Sequence, residues 1–362
     1  METAQEWYDQ GVQEYEAGNH EAALASFDRA LEIEADYGAA WFLKGFVLYD
    51  LGRYQETLDC YDKTLQSNPY FYTAWYNKGE VLQNLQKHKE ASECFDKALH
   101  FIDKVINYKP DYYDAWYCKG NVFVDLKKYQ EAVVCFDKTL QFKPNFYKAW
   151  HNKGNALVHL QRYQDAVYYF DKALQFKSDS YKSWNSKGEV FLNLQRYKEA
   201  IECFDKALQF KPDSYEAWHG KGNVFVDLQR YQEALDSYDR ALQLSNNQDW
   251  GAWANRSLAV SYLDGYEAKI QNYNNGLQAL QHDNPEYNEG CGYLHWQKGK
   301  AQYQHGKEHT QYMPDWFDAR NSYQQALKFI TAPHLLERRL EVLQDLIQVS
   351  RGLNQTQNVQ VL

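Results

Sequence analysis

The chain has 362 residues, of which 44% are hydrophobic and 17% aromatic, and its 39 basic and 49 acidic side chains leave a formal charge of −10. That length suits two or three ordinary domains or one elongated array, and the acidic balance argues against a general nucleic-acid binder, which needs a concentrated basic footprint. No stretch approaches the roughly 20 apolar residues that span a bilayer, and the amino-terminal segment is amphipathic and acidic, so no membrane partner and a cytoplasmic location are expected.

Along the chain a tryptophan recurs at Trp7, Trp41, Trp75, Trp116, Trp150, Trp184, Trp218 and Trp253, spaced by 34 residues except for 41 after Trp75 and 35 before Trp253. Four residues after the first seven stand Gly11, Gly45, Gly79, Gly120, Gly154, Gly188 and Gly222. Each unit then carries an aromatic or histidine such as Tyr129 or His88, an alanine such as Ala132, and a second ring such as Phe136, with Pro69, Pro110, Pro144 and Pro212 closing their units. In AWHNKGNALVHL and YQDAVYYFDKALQF, apolar and small residues recur at helical spacing on either side of a short polar turn. Neither helix can bury its apolar side alone, so neighbouring pairs must stack into a continuous one-dimensional core.

This order of Trp, Gly, ring, Ala, ring, Ala and Pro resembles the tetratricopeptide repeat family, in the manner of bacterial and cyanobacterial-type multi-repeat proteins, with eight repeats over residues 4–283. The resemblance implies an all-α fold: antiparallel helix pairs coil into a right-handed superhelical solenoid whose first helices line a concave groove. A C-terminal capping helix is expected to close it.

Departures from the period carry further expectations. Seven extra residues near 99–110, with Phe101, Ile102, Val105 and Ile106 in helical spacing, predict a second helix longer by about 10.5 Å that protrudes at one rim. After Trp253 the signature fades, and residues 292–330 read as a degenerate ninth repeat with a long internal connection, HGKEHTQYMPD. Residues 333–350 predict the capping helix, docked through Leu335, Leu336, Leu340, Leu343, Leu346 and Ile347, with Glu337, Arg338 and Arg339 on its solvated side. Its sequence, LLERRLEVLQDLIQVSRGL, also looks like segments that follow repeats in multidomain bacterial proteins, and residues 354–362 read as a flexible tail.

The family register assigns Phe42, Tyr76, Tyr117, His151, Asn185 and His219 to the groove, with Asn121, Asn155 and Asn223 one turn on and Asn77, Asn152 and Asn255 beside them. An asparagine amide both donates and accepts, so it can hold a peptide backbone with little demand on its sequence. The alternative is an ordinary hydrated polar face. Inward acids Asp50, Glu80, Asp114, Asp125, Glu189, Glu216 and Asp227 outnumber Lys148 and Lys182, which favours a neutral or basic partner. Lys44, Lys78, Lys119, Lys153, Lys187 and Lys221 fall between inward and packing positions, within reach of a rim.

The function expected is a protein–protein interaction scaffold that binds an extended peptide segment; the alternative is a structural or self-assembling module, a homo-oligomer using its outer face or ends. No GxxxxGK[ST], HExxH, GxSxG or calcium-loop pattern occurs, so no catalytic residue, cofactor or enzyme activity is expected. Cys291, His295, His305 and His309 read as a polar connection and not as a metal site; the six cysteines make no disulfide framework, and Cys60, Cys94, Cys135 and Cys203 read as small packing thiols.

Overall fold

A computed structural model describes residues 3–280, 287–308, 313–331 and 335–360. Among these residues the backbone is 84% helical, with nineteen helices and no strand. The chain divides into two compact units, Met1–Ser178 and Asp179–Leu362.

Unit one holds five helix pairs: α1 (Ala4–Glu16) with α2 (His20–Ile33), α3 (Gly38–Asp50) with α4 (Tyr54–Ser67), α5 (Tyr72–Asn84) with α6 (His88–Tyr108), α7 (Tyr113–Asp125) with α8 (Tyr129–Phe142), and α9 (Tyr147–His159) with α10 (Tyr163–Phe176). Within a pair the glycine of the first helix lies under the ring of the second. A Cβ on Gly79 or Gly120 would stand 2.5 Å from the Phe95 or Phe136 ring, so only glycine lets the ring sit there. Between the paired helices the chain turns through one residue of positive φ. Gly18 and Gly52 serve in the first two pairs, whereas Gln86, Lys127 and Gln161 hold φ of 57° to 58° in the next three.

Successive pairs are joined by two further contacts. From the second pair on, the tryptophan indole donates back to a carbonyl six residues earlier: Trp41 to Ala35 at 2.9 Å, Trp75 to Pro69 at 2.9 Å, Trp116 to Pro110 at 2.8 Å and Trp150 to Pro144 at 2.7 Å. Three residues on, Lys44, Lys78, Lys119 and Lys153 pair with Asp28, Asp62, Asp103 and Asp137 of the preceding second helix. These lysines also stand near tryptophan or tyrosine rings, so of the two positions between which the sequence left them they are held on the packing side.

The seven extra residues lengthen a second helix: α6 has 21 residues where α8 has 14. Their apolar side packs into the stack. Ile102 and Ile106 are buried in one cluster with Phe95 and Ala115, and Phe101 meets the Tyr70 ring edge-on at 5.5 Å. Asp103, not Asp96, supplies the carboxylate for Lys119, so the added turns shift the register of contact with the next pair. Tyr108 at the helix end is 94% exposed.

Unit two holds α11 (Tyr181–Asn193) with α12 (Tyr197–Phe210), α13 (Tyr215–Asp227) with α14 (Tyr231–Leu244), α15 (Trp250–Leu263) with α16 (Gly265–Ala279), α17 (Tyr287–Glu308) with α18 (Met313–Phe329), and then α19 (Leu336–Gln360). The expected boundary at 283 lies outside the described residues, and α17 starts five residues before 292. Much of the long connection is helix, because α17 runs on through His305 and Gly306 to Glu308. Gly306 lies so close to the Trp316 ring that a Cβ there would collide with it. Residues 309–312 lie outside the described residues.

The last helix docks by a face rotated from the one expected, keeping Leu335 and Leu346 of that stripe but turning Val342 and Val349 inward. Leu335, Val342, Val349 and Leu353 are buried against Ala319, Tyr323, Ala326 and Ile330, whereas Leu336, Leu340 and Ile347 face solvent. Polar anchors set this rotation. Arg339 Nη1 donates to the carbonyls of Leu327 and Ile330 at 2.8 and 2.6 Å, satisfying the end of α18. Arg338 pairs with Glu289 at 2.8 Å and Trp296 Nε1 donates to Asp345 at 2.9 Å, so these arginines are not merely solvated. The buried seam runs on to Leu353, and the backbone stays helical to Gln360 through most of the stretch expected as a flexible tail. Residues 361–362 lie outside the described residues.

Truncating a buried valine to alanine removes two methyl groups and leaves a small cavity. Val342→Ala with Val349→Ala should therefore cost about 1–3 kcal/mol per site in unit two, while the exposed Leu340→Ala should stay within about 0.5 kcal/mol. Urea denaturation ranks them, and equal losses would contradict this docking.

Candidate functional site

The first helices of successive pairs touch one another, α1 with α3, α5 with α7 and α7 with α9 in unit one, and α11 with α13, α13 with α15 and α15 with α17 in unit two. Each unit therefore presents a face made of first helices, and most of the sequence-predicted site residues bond to one another there.

In unit one, Asn152 of α9 donates to the Asn121 carbonyl oxygen at 2.8 Å and to the Tyr117 hydroxyl at 3.0 Å, both on α7. Burial pushes the Tyr117 hydroxyl up to about 12, against the lowering effect of its asparagine neighbours. On α9 itself, Asn155 and His151 meet at 3.0 Å. Phe42 packs between the rings of Phe71 and Tyr61, at 4.8 and 5.8 Å, as part of the core edge. Asn77 departs from its assignment: only 8% exposed, it hydrogen-bonds the buried Tyr61 hydroxyl inside the stack. An asparagine can serve the core when an equally buried hydroxyl faces it.

Tyr76 leads to a feature that its helix alone does not reveal. Its hydroxyl lies between Glu80, one turn on, and Asp125 of α7. Burial pushes Glu80 up to about 7, Asp125 repels its charge further, and the Tyr76 hydroxyl opposes both effects. Burial likewise pushes Asp125 up to about 6, and its Oδ2 is buried with no hydrogen-bond partner. Nearby, Asn84 donates to the Tyr49 hydroxyl at 3.0 Å. The Tyr76–Glu80 spacing is visible in one helix, but the link to Asp125 requires knowing how neighbouring pairs stack.

In unit two the pattern repeats with a histidine in place of the tyrosine. Asn255 of α15 donates to Asn223 of α13 at 2.9 Å and meets His219 Nε2 at 3.2 Å. His219 Nδ1 lies 2.9 Å from Asp249, which also caps α15 by accepting from the Ala252 amide. An amide donating to Nε2 and a carboxylate facing Nδ1 require the tautomer protonated at Nδ1. The Tyr238 hydroxyl donates to Asn223 at 2.7 Å. Asn185 donates to Glu189 at 2.7 Å, and its Oδ1 is buried without a partner.

The histidines and cysteine near the chain's end do not converge. Cys291 is buried, His305 lies flat on the Tyr266 ring at 3.7 Å with Nδ1 2.7 Å from Asp315, and His309 lies outside the described residues. Among the described residues no cluster of three or more metal-ligating side chains occurs, all six cysteines are buried free thiols, and no helix is long and apolar enough to cross a membrane.

The acid pair makes a prediction with a definite sign. A folded-state value above the ordinary glutamate value of about 4.3 means that the folded chain holds this proton more tightly than the unfolded chain. The pair's contribution to stability is therefore best below about pH 4 and declines as pH rises towards about 7. Glu80→Gln should remove the part of that decline that Glu80 carries, leaving that of Asp125, and raise stability at pH 8 by on the order of 1–3 kcal/mol, read as the urea midpoint against pH. A variant as pH-dependent as the parent would contradict the assignment.

Three family profiles described as tetratricopeptide repeat match residues 8–70 and 184–249, residues 113–146 and 147–180, and residues 72–100. No curated protein sequence matches the chain. Among solved structures the chain is similar to a tetratricopeptide repeat protein from Parabacteroides merdae ATCC 43184, with a TM-score of 0.53 and 16% identity over 71% of this chain and 98% of that one. Lower scores relate it to yeast Tom70, with a TM-score of 0.48 and 11% identity over 96% of each chain. Another relates it to YrrB, a TPR protein with an unusual peptide-binding site, at 0.36 and 21% identity over 56% of this chain and 97% of that one.

Proposed function

Because the chain belongs to the tetratricopeptide repeat family, we propose that it is a protein-interaction scaffold in which the first-helix face of a unit grips an extended, neutral or basic segment of a partner. The observation that carries this reading is the recurrence of an asparagine pair bridging neighbouring first helices, Asn121–Asn152 in unit one and Asn223–Asn255 in unit two. Each pair fixes its amides by mutual bonding. Asn152 and Asn255 each spend both amide hydrogens on these contacts, but their Oδ1 atoms keep acceptor capacity for the amide of a peptide backbone. Amides already held in place lose little freedom when a ligand arrives, which favours affinity.

Electrostatics supports the choice of partner. Asp125 Oδ2 and Asn185 Oδ1 are buried acceptors without donors, and a buried unmet acceptor costs about 1–3 kcal/mol. A peptide amide or a basic side chain supplies the missing hydrogen; an acidic side chain does not. On this reading the face of unit one includes Tyr76, Tyr117, Asn121, His151, Asn152 and Asn155, with Phe42 at its edge and Asn77 left to the core, and that of unit two separately includes Asn185, His219, Asn223 and Asn255.

Fluorescence anisotropy with neutral, basic and acidic peptide libraries tests the proposal. Neutral or basic peptides should bind, and Asn121→Ala with Asn152→Ala should weaken them about tenfold or more at unchanged helical content, since each lost hydrogen bond is worth about 1 kcal/mol. Preference for acidic peptides, or unchanged affinity in the variant, would sink it.

Self-association is a second reading, favoured by the solvent-facing Leu336, Leu340 and Ile347 on α19. Light scattering over a concentration range separates the two, because a mass that rises with concentration and falls back in Leu340→Glu supports assembly through this helix.

A further inference from the structure

Between α16, α17 and α18 lies a cavity of about 370 Å³, at the small end of the sizes that hold small ligands. It is bounded by two second helices, so it is separate from the face proposed above. Its polar lining follows from a break in a ladder that six earlier repeats keep. Lys44, Lys78, Lys119 and Lys153 in unit one, and Lys221 and Arg256 in unit two, each meet an aspartate of the preceding second helix. Lys298 occupies the same position, one residue before Gly299 as Lys44 is before Gly45. What it meets on α16 is the neutral Asn274, whose Oδ1 accepts from Nζ at 2.8 Å. Asn274 follows Trp253 by the 21 residues that separate Asp239 from Trp218, so one rung of the ladder has lost its negative charge.

The groups around Lys298 add to the imbalance. One turn earlier on α17, His295 has a buried Nδ1 with no hydrogen-bond partner. Burial, followed by the positive charges of Lys298 and Lys328, pushes its imidazole down to about 4, so it is neutral near pH 7. Burial also lowers Lys298, with Asp318 of α18 opposing. Among the described residues Lys298 belongs to no ion pair, and α16 lines the cavity with Ile270 and Asn274, neither of them charged. On the far wall the buried Ser322 donates to Gln302 at 2.7 Å. Lys298 and Asp318 are thus the charged groups of a cavity with otherwise polar walls, where His295 carries an unmet imidazole nitrogen and feels the further positive charge of Lys328.

We propose that this cavity binds a small anion through a carboxylate or phosphate group, placed between the Lys298 ammonium and the His295 imidazole. The anion supplies the charge that aspartate supplies in the six complete rungs. A negative charge beside His295 favours its protonated form. Binding therefore takes up a proton, and affinity rises as pH falls towards about 4, the value of the free imidazole.

The test follows the ring resonances of His295 by NMR in the full chain, titrated with inorganic phosphate and, separately, with succinate at millimolar concentrations. Binding of either should move the His295 titration to higher pH. Phosphate alone would assign a phosphorylated ligand, succinate alone a carboxylate, and both together an anion site that reads charge. Asn274→Asp restores the missing rung with almost no change of shape and should weaken binding tenfold or more, and Lys298→Met should abolish it. Should Lys298→Met unfold the last pair, the isosteric Asn274→Asp still decides. A His295 titration unmoved by either anion, or binding by Asn274→Asp equal to the parent, overturns the proposal.

Discussion

Each helix pair depends on a ring lying where a side chain would otherwise be. With Phe95 and Phe136 about 2.5 Å from the Cβ positions that Gly79 and Gly120 lack, the first helix approaches the second more closely than any larger residue allows. Close packing makes the contact unforgiving, because a dense interior cannot yield a methyl group's width without moving a whole ring. With the pair fixed, the remaining contacts fall into register. The tryptophan indole reaches the preceding carbonyl, the lysine reaches the preceding aspartate, and the first helices come near enough for Asn152 to bond Asn121.

That hierarchy explains what was legible in the sequence. Tryptophan, glycine and ring recur at fixed spacing because each is needed once per pair, so period and residue type together identify the helices and their pairing. The recurrent lysines were harder to place, since their aspartate partners lie 16 residues earlier on a different helix. Their aliphatic stems pack while their ammonium groups pair, and linear spacing reveals only that they repeat. The last helix shows the same limit. LLERRLEVLQDL offers two apolar faces, and the choice of Val342 and Val349 over Leu340 and Ile347 depends on Arg339 finding the open carbonyls at the end of α18.

Within the candidate site the family register found the right helices but could not distinguish residues that face outward from residues consumed by the core. Asn77 serves Tyr61, whereas Asn152 bridges to Asn121. Both follow a tryptophan by two residues, and only the partner facing them differs. The Glu80–Asp125 pair was equally hidden, because its members lie 45 residues apart and meet only through stacking. A solenoid makes such encounters regular, since residues at related positions in neighbouring pairs always face one another. One changed rung, such as Asn274 opposite Lys298, then leaves a local imbalance of charge without disturbing the stack.

If the glycine–ring contact governs the register of the first helices, disturbing one contact should be felt locally and be reversible by making room. Native-state hydrogen exchange of Gly120→Ala, compared with Gly120→Ala combined with Phe136→Leu, measures this most directly. The single substitution should cost about 1–3 kcal/mol, with protection lost in α7 and α8 while α1 and α2 keep theirs, and the smaller side chain at 136 should return part of that loss. Protection that falls evenly across unit one, or a double variant that is destabilised by the full sum of the two changes, would contradict the account.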